Sequence, residues 1–193
     1  MIKVGLTGGM GSGKTMISSI FEILGIPVFQ ADLAARRLLE EDEEIRTSLI
    51  SWYGEGVYQD GKPDRSMIAS IIFRQPAQLA KVNGIIHPKV YEEYQAWLNK
   101  LAPVPFSIHE AAILFESGFN RYLDKTILVT APEKIRIERI RLRDGLDETQ
   151  IRQRMENQWS DDKKAPLADY LLNNEGCTAV IPQVIKIFEE ITK

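Results

Sequence analysis

The sequence predicts an α/β domain built in three layers around a parallel β-sheet. Three observations lead to this prediction: strand-like runs alternate with amphipathic helical segments, a glycine-rich turn directly follows the first run, and apolar residues make up 44% of the 193-residue chain. That apolar share is enough for a substantial core, and the length suits one domain or one core with small additions. Alternating strands and helices are typical of parallel sheets joined by helical crossovers.

The first elements form one strand–helix–strand unit. Residues 2–7 (IKVGLT) have the composition of a buried strand and lead into the glycine-rich turn. The next segment carries an apolar stripe at i, i+3, i+4 and i+7, typical of a helix that faces a core. The stripe consists of Ile17, Ile20, Phe21 and Leu24. Gly25 and Pro27 predict the helix end, and residues 26–30 (IPVFQ) predict a second strand.

The middle of the chain, from Ala31 to about Lys100, has a mostly helical pattern with a turn-rich interruption at 54–64. This block is longer than a simple crossover between two parallel strands. Ligands of such sheets bind at the carboxyl ends of the strands. We therefore expect the block to form a helical cap over that edge.

The last part of the chain returns to alternation. Strand-like runs at 104–109 and 126–130 precede a highly charged helix at 132–143. A further helix to about Lys164 and a strand at 168–174 follow. The final helix has a predicted core stripe of Ile181, Val184, Ile185, Phe188 and Ile191. With the two runs of the first unit, the sequence predicts five strands.

Composition limits the classes of partner. The formal net charge of −3 argues against a generally basic surface that binds nucleic acid. Cys177 is the single cysteine, so an intrachain disulfide framework is excluded and a reducing compartment is expected. No apolar run approaches the roughly 20 residues of a membrane helix, and no export leader precedes the first strand. We expect a soluble cytoplasmic monomer or weak oligomer without nucleic-acid or membrane partners.

The glycine-rich turn matches the motif of a phosphate-binding loop. The run Gly8-Gly9-Met10-Gly11-Ser12-Gly13-Lys14-Thr15 satisfies G-x-x-x-x-G-K-[ST], after a strand and before a helix. Glycines let the main chain approach a ligand, so that successive N–H groups converge on phosphate oxygens at the helix N-terminus. The lysine of this motif supplies charge to the β and γ phosphates, and its Thr15 hydroxyl coordinates Mg²⁺. The sequence therefore predicts a site for a nucleoside triphosphate with Mg²⁺.

Asp32 follows the second predicted strand, at the edge where ligands of parallel sheets bind. Its carboxylate can accept the proton of a substrate hydroxyl, or orient that hydroxyl for in-line attack on a phosphoryl group. It can also cap a helix that begins near Leu33. Spacing alone leaves both interpretations open, and they are compatible with each other.

The charged helix places Arg136, Arg139 and Arg143 at i, i+3 and i+7, on one helical face. Guanidinium groups fixed there can stabilise the charge on a transferring phosphoryl group. The alternative is a solvated helix with i,i+4 ion pairs, in which the arginines meet no ligand. As a group, the three arginines favour the first interpretation.

Other polar residues flank the predicted strands. Glu110 and Glu116 both follow the 104–109 strand region. Glu110 is positioned to hold Mg²⁺ through water, with helix capping or ion pairing as the alternatives. His87 and His109 are too isolated in the sequence to predict a metal site.

Five segments together resemble the dephospho-CoA kinase family. They are GLTGGMGSGKT at 5–15, QADLAAR at 30–36, IIHPKV at 85–90, AILFESG at 112–118 and ADYLLNNEG at 168–176. DGKPDRSMIASIIF at 60–73 is also similar to an Asp-Gly…Asp-Arg…Phe segment of the family. The match covers almost the whole chain in the family's order and spacing. The glycine loop is shared with many nucleotide-binding proteins, whereas its combination with ADLAAR, HP and LFE is specific.

The resemblance implies a reaction and a domain plan. ATP would phosphorylate the ribose 3′-hydroxyl of dephospho-CoA to give CoA and ADP, the last step of CoA biosynthesis. A P-loop kinase core would comprise 1–30, 104–131 and 168–193, with a helical CoA-binding domain at 31–103. An arginine-rich helix and a mobile lid would occupy 132–167. Closure of such a lid excludes water, which otherwise attacks ATP in place of the substrate.

The resemblance also assigns residues. Those assigned to ATP are Gly9, Gly11, Ser12, Gly13, Lys14, Thr15, Met16, Arg143 and Asn174, with Thr15 also on Mg²⁺. Asp32, Lys14 and Arg139 would be catalytic, and Asp32, Arg36 and His87 would meet the acceptor. The lid would continue through Arg154, Gln158 and Lys163 to about Ala168. Asn174 would approach the adenine, with a simple turn residue as the alternative.

Two positions depart from the family pattern. The family often has aspartate where this chain has Gln30, so a second carboxylate is missing, and Asp32 is expected to maintain activity. The family usually has proline where this chain has Ala112. This second departure weakens inferences from the geometry of that strand but leaves the register of the LFE motif intact.

Two alternative functions remain at the level of the sequence. Another small-molecule P-loop kinase, acting on a nucleoside or nucleoside monophosphate, would share the loop and lid without ADLAAR and HP. A non-catalytic nucleotide sensor would need neither a base at Asp32 nor lid arginines. A switch GTPase is disfavoured, because the chain contains no Asn-Lys-x-Asp segment for reading guanine.

Overall fold

The structure is a computed structural model that describes residues 1–72 and 75–193. Phe73, the last residue of the 60–73 segment named above, lies outside the described residues. The strands are β1 (Ile2–Thr7), β2 (Val28–Gln30), β3 (Tyr58–Gln59), β4 (Lys62–Pro63), β5 (Phe106–Glu110), β6 (Lys125–Thr130) and β7 (Tyr170–Asn173). The helices are α1 (Lys14–Ile23), α2 (Ala31–Glu41), α3 (Glu43–Tyr53), α4 (Arg65–Ile72), α5 (Pro76–Leu98), α6 (Glu133–Asp144), α7 (Glu148–Met155), α8 (Asp161–Lys164) and α9 (Val180–Thr192).

These elements form two compact units. One unit comprises Met1–Gln30 and Leu101–Lys193, and the other comprises Ala31–Lys100. The first unit holds the large sheet with α1 and the helices from α6 to α9. The second is helical apart from the short hairpin of β3 and β4.

The first unit is organised around a parallel sheet. Among the described residues this sheet has five strands in the order β2-β5-β1-β6-β7, and every pairing is parallel. The predicted α/β fold with five parallel strands is therefore confirmed. In the central strand, Leu6 lies opposite Glu110 of β5 and Ile127 of β6. All strands end at one edge, where β1 continues into the glycine loop.

One face of the sheet packs against α1 and α9. Its buried core includes Val4, Leu6, Ile17, Phe21, Phe106, Ile108, Ile127, Val129, Leu172, Val184, Ile187 and Ile191. Two predicted stripes need correction. Leu24 follows the last residue of α1 and is exposed, and Ile181 and Ile185 of α9 face solvent at 58% and 40% exposure. The buried row of α9 is Val184, Ile187 and Ile191, because those positions share one helical face.

The other face of the sheet packs against the segment after β5. Gly5 of β1 is required there, since a Cβ atom would come within 2.6 Å of Leu114 and 2.8 Å of Leu123. His109 lies between two aromatic rings, with centroid distances of 5.5 Å to Phe29 and 4.0 Å to Phe119. Burial lowers the pKa of His109 to about 3, so the ring is neutral at physiological pH.

The prediction of one helix that continues to about Lys164 is wrong. The segment is divided into α7 and α8 because each has its own N-terminal cap. Asp147 and Gln150 form a capping box, and the Ser160 hydroxyl accepts the Lys163 N–H. The strands also begin later than predicted: β2 at Val28, β5 at Phe106 and β7 at Tyr170.

The second unit is held by apolar packing and by ion pairs between its helices. Ala34, Leu38, Ile45, Leu49, Val82, Ile86, Val90 and Tyr94 are buried. Asp42 caps α3 by accepting the Ile45 N–H and also pairs with Lys89 of α5 at 2.9 Å. These contacts lower the pKa of Asp42 against the opposing effect of burial. Throughout the described ranges, no helix has the length and apolar character needed to cross a membrane.

Candidate active site

The glycine loop joins β1 to α1 and is closely packed from behind. Gly11 and Gly13 have φ values of 80° and 96°, a region that favours glycine. A Cβ at Gly11 would lie 2.7 Å from the Arg136 carbonyl oxygen, and one at Gly13 would overlap the Asn174 side-chain amide. The loop therefore has no room for side chains at these two positions.

The loop fits a polyphosphate. Helix α1 begins at Lys14, and the first amides of any helix have no earlier carbonyl within it to bind. The Lys14 ammonium donates to the Gly8 carbonyl at 2.9 Å, so its side chain folds over the loop. Thr15 is exposed beside it, as a Mg²⁺ ligand needs to be, and Met16 is exposed one position later. These features suit anion binding at a helix N-terminus.

Ser12 has a different environment from the rest of the predicted phosphate-binding residues. Its N–H donates to the Gly9 carbonyl at 3.1 Å, and its side chain is fully buried. Ser12 therefore shapes the loop from within. A pocket of about 140 Å³ opens beside it, lined by Gly11, Gly13, Lys14, Thr15, Arg139, Ile140 and Arg143.

Arg139 of α6 and Asn174 after β7 support the loop through its carbonyl groups. Arg139 Nη1 lies 3.3 Å from the Gly11 oxygen and 3.4 Å from the Ser12 oxygen, and Nη2 donates to the Asn174 oxygen at 3.0 Å. The buried Asn174 amide donates to the Ser12 oxygen at 2.7 Å. Asn174 is thus packed against the loop, a contact that neither sequence interpretation of this residue included.

Arg143 lies one turn beyond Arg139 and is exposed at the pocket. Its guanidinium forms two hydrogen bonds with Asp144, at 2.7 and 2.9 Å. These bonds raise the pKa of Arg143 and lower that of Asp144. The structure therefore brings Arg139 and Arg143 to the glycine loop, as the shared helical face predicted.

Glu110 ends β5 next to the first turns of α1. It is buried, and its Oε2 accepts the Ser18 hydroxyl at 3.3 Å. The same hydroxyl lies 2.9 Å from the Thr15 carbonyl oxygen, so its one hydrogen is shared between the two acceptors. The carboxylate and the Thr15 turn are thus linked through one serine. Oxygen ligands of this kind suit Mg²⁺ bound partly through water.

The predicted acceptor residues belong to the second unit. Asp32 is exposed in the first turn of α2, and Arg36 is exposed one turn later. The helix begins at Ala31, so Asp32 lies inside its first turn, where the helix dipole also stabilises a carboxylate. His87 is partly buried in α5, and burial lowers its pKa.

Several contacts to the loop were missed at the level of the sequence. Arg136 was included in the arginine face, but its side chain is buried and its Nε donates to the Met10 carbonyl at 2.9 Å. Gln158 accepts the Met10 N–H at 2.8 Å. Lys164 is fully buried and pairs with Glu116 at 2.8 Å. Arg136 gave a sequence signal through its place in the arginine row, and the resemblance placed Gln158 in the lid but not against the loop. The partners in each of these contacts are more than 40 residues apart.

The Ala112 departure has a small effect on these contacts. Its carbonyl oxygen accepts the Lys164 ammonium at 3.2 Å and the Thr7 hydroxyl at 3.4 Å. Proline also has this carbonyl group, so either residue can provide the acceptor.

Comparisons with known proteins identify the family. The family model described as Dephospho-CoA kinase matches residues 2–179. A dephospho-CoA kinase of Porphyromonas gingivalis is 40% identical over 192 residues, covering 99% of this chain and 95% of the relative. One of Bacteroides fragilis is 37% identical over 186 residues, covering 96% and 91%.

A solved structure shares the fold along the whole chain. A protein of Thermus thermophilus superposes with a TM-score of 0.88 at 30% identity, covering all of this chain and 98% of its own. The fold, the glycine loop and the sequence similarity agree along nearly the whole length. This chain belongs to the dephospho-CoA kinase family.

Proposed function

We propose that the protein transfers the γ-phosphoryl group of ATP to the ribose 3′-hydroxyl of dephospho-CoA, giving CoA and ADP. Membership of the family makes the chain a kinase of CoA biosynthesis. The observation that carries the proposal is the glycine loop at the end of β1, with Lys14, Arg139 and Arg143 around one pocket. Three cationic side chains there suit a triphosphate.

The loop and its neighbours hold the donor in this proposal. The loop from Gly11 to Met16 binds the phosphates, mainly through the amides of Gly11, Gly13, Lys14 and Thr15, because the Ser12 and Met16 amides donate to carbonyls within the loop. Lys14 places its charge on the β and γ groups. Thr15 and, through water, Glu110 would hold Mg²⁺, which would supply positive charge to the phosphoryl group being transferred. Arg139 and Arg143 stabilise charge on its equatorial oxygens.

The acceptor is activated by Asp32. Its exposed carboxylate takes the proton of the ribose hydroxyl, or orients that hydroxyl, as the bond to phosphorus forms. Arg36, on the same helix, binds the acceptor or its phosphates, and His87 meets the CoA moiety. The missing carboxylate at Gln30 is compatible with this role, because one base is sufficient. The segment 132–167 acts as the arginine-rich helix and lid, and the contact of Lys164 with Glu116 anchors its C-terminal end to the core.

The two alternatives are less well supported. A kinase for nucleosides or nucleoside monophosphates would share the loop, but the relatives that match the whole chain are dephospho-CoA kinases. A nucleotide sensor has no need of an exposed carboxylate followed by arginine on α2. We also propose that the protein acts in the cytoplasm as a monomer or weak oligomer on a free small molecule.

A coupled assay of ADP release tests the acceptor. Dephospho-CoA, adenosine, AMP and phosphopantetheine are compared at equal concentrations with ATP and Mg²⁺. We expect turnover with dephospho-CoA alone, and product analysis should place the new phosphate on the ribose 3′-oxygen. Equal or faster turnover with adenosine or AMP would favour the nucleoside alternative, and ATP binding without any turnover would favour the sensor.

A further inference from the structure

Met10 of the glycine loop is held from outside the loop at both polar groups of its backbone. Its N–H donates to Gln158 Oε1 at 2.8 Å, and its carbonyl accepts Arg136 Nε at 2.9 Å. Neither partner lies near Met10 in the sequence. The peptide groups on both sides of Met10 are therefore fixed by other elements, and the orientation of the following amides depends on them.

The segment that carries Gln158 is attached to the core by a buried lysine. Lys164 has no exposed surface, and its ammonium binds Glu116 Oε1 at 2.8 Å and the Ala112 carbonyl at 3.2 Å. The same Glu116 oxygen accepts the Trp159 N–H at 2.9 Å. One carboxylate thus fixes both ends of residues 159–164, immediately beside Gln158. Lysine is rarely buried without such a partner.

The middle of this segment meets the second support of Met10. The Asp161 carboxylate lies 3.5 Å from Arg136 Nη1. Burial raises the pKa of Asp161, and the nearby Arg136 and Lys164 charges oppose that effect. Both side chains that bind the Met10 backbone are therefore oriented by residues 158–164, one directly and one through Asp161.

We propose that Gln158 and Lys164 are positioning residues for the kinase reaction, which set the glycine loop in its phosphate-binding shape before the nucleotide arrives. Gln158 binds the Met10 N–H, and Lys164 fixes the segment from which Gln158 extends. This inference rests on the proposed function for its kinetic consequence, but the loop geometry itself is independent of the acceptor. When the loop is already ordered, less of the free energy of nucleotide binding is lost in ordering its amides.

The test replaces Gln158 with an isosteric side chain that lacks the amide. In Gln158→Met, the Met10 amide should exchange with solvent at least about tenfold faster and the Kd for ATP should rise about tenfold, as expected for a lost, partly buried hydrogen bond. The KM for dephospho-CoA should stay within about twofold, because only the donor site is disordered. The control Gln153→Met makes the same exchange at an exposed position of α7 and should change neither quantity.

A second variant tests the buried lysine without leaving an unpaired charge. The double variant Glu116→Gln with Lys164→Met removes both charges at similar volume, a change that buried ion pairs often tolerate. We expect the Kd for ATP to rise by about tenfold here too, with cooperative unfolding retained.

Three outcomes would overturn the inference. They are unchanged Met10 amide exchange in Gln158→Met, an unchanged Kd for ATP in both variants, or an equal rise in the KM for ATP and the KM for dephospho-CoA in Gln158→Met. Failure of the wild-type protein to phosphorylate dephospho-CoA would instead contradict the proposed function. In that case, amide exchange and the Kd for ATP would still decide whether Gln158 and Lys164 position the loop.

Discussion

At the scale of single residues, the shape of the glycine loop depends on contacts to its carbonyl groups as well as on its amides. Arg136 binds the carbonyl oxygen of Met10, and Asn174 binds that of Ser12. A peptide whose carbonyl is held on the outer side of a loop directs its N–H inwards. Cations and amides behind the loop therefore contribute to anion binding in front of it.

Removal of the Lys14 ammonium tests the charge at the transferring phosphate. In Lys14→Ala we expect kcat/KM to fall by roughly 10²–10³, the usual cost of one fixed group that stabilises a transition state. The measurement is steady-state kinetics with ATP and dephospho-CoA. Lys186→Ala, at an exposed site on α9, is the control. A kcat/KM within about threefold of the wild type would contradict the assigned role of Lys14.

Asp32→Asn separates a catalytic carboxylate from a helix-terminal one. Asparagine keeps the shape but accepts a proton poorly, so kcat should fall by roughly 10²–10⁴ while the Kd for ATP stays within about twofold. Single-turnover kinetics and calorimetry provide the two values. Asp60→Asn, on the exposed hairpin turn, controls for a changed surface charge. Parallel losses in rate and affinity would favour the structural interpretation.

At the scale of elements, α6 and the end of β7 join the glycine loop through Arg139. In Arg139→Ala we expect the activation free energy to rise by roughly 2–4 kcal/mol, because the side chain both supports the loop and stabilises developing charge. The ratio of kcat/KM values measures this change. Arg141→Ala, exposed on the same helix, is the matched control. A change below about 0.5 kcal/mol would favour the solvated helix interpretation.

The contact between β7 and the loop also contributes to stability. Asn174→Asp replaces the amide donor with a carboxylate oxygen that faces the Ser12 carbonyl. We expect the free energy of unfolding to fall by about 1–3 kcal/mol, the cost of an unsatisfied buried group. Denaturant titration measures the loss, and Asn99→Asp at the exposed end of α5 is the control. Equal stability of the two variants would contradict the packing role of Asn174.

Elements could be predicted where their signals are local. The glycine loop and the row of Arg139 and Arg143 follow from spacing alone, and the structure brings them together. The division between α7 and α8 was missed although Ser160, followed by two aspartates, is a helix start signal. The attachment of Lys164 to Glu116 had no such signal, because ion pairs across 48 positions depend on the tertiary fold.

At the scale of the whole molecule, the order of the strands was beyond prediction from one sequence. Five runs were recognised, but no local signal in them places β5 between β1 and β2. Ser107 and His109 also occupy a strand that is buried on both faces. Parallel strands in such positions lack the polar–apolar alternation that assigns residues to faces. The burial of His109 results from the assembled sheet and could not be predicted from the sequence.

This burial makes the stability of the molecule depend on pH. The folded-state pKa of His109 is about 3, whereas an unfolded histidine titrates near 6.5. Between these values the unfolded chain binds a proton that the folded chain excludes, so stability falls as the pH decreases through this window. From pH 7 to pH 5 we expect a loss of roughly 2 kcal/mol from this residue, since one proton contributes up to about 1.4 kcal/mol per pH unit. Urea titrations across this range measure it, above the pH at which most carboxylates begin to protonate.

Comparison of two histidine variants identifies which histidine causes the pH dependence of the free energy of unfolding. His109→Leu removes the buried ring, so its free energy of unfolding should lose most of its pH dependence between 7 and 5, whatever its absolute value. His87 has a pKa that is also lowered by burial, which gives it an effect of the same sign. His87→Gln should therefore keep most of the wild-type slope, because His109 is the more deeply buried of the two. If stability still depended steeply on pH in His109→Leu but not in His87→Gln, the pH dependence would instead come from His87 in the second unit.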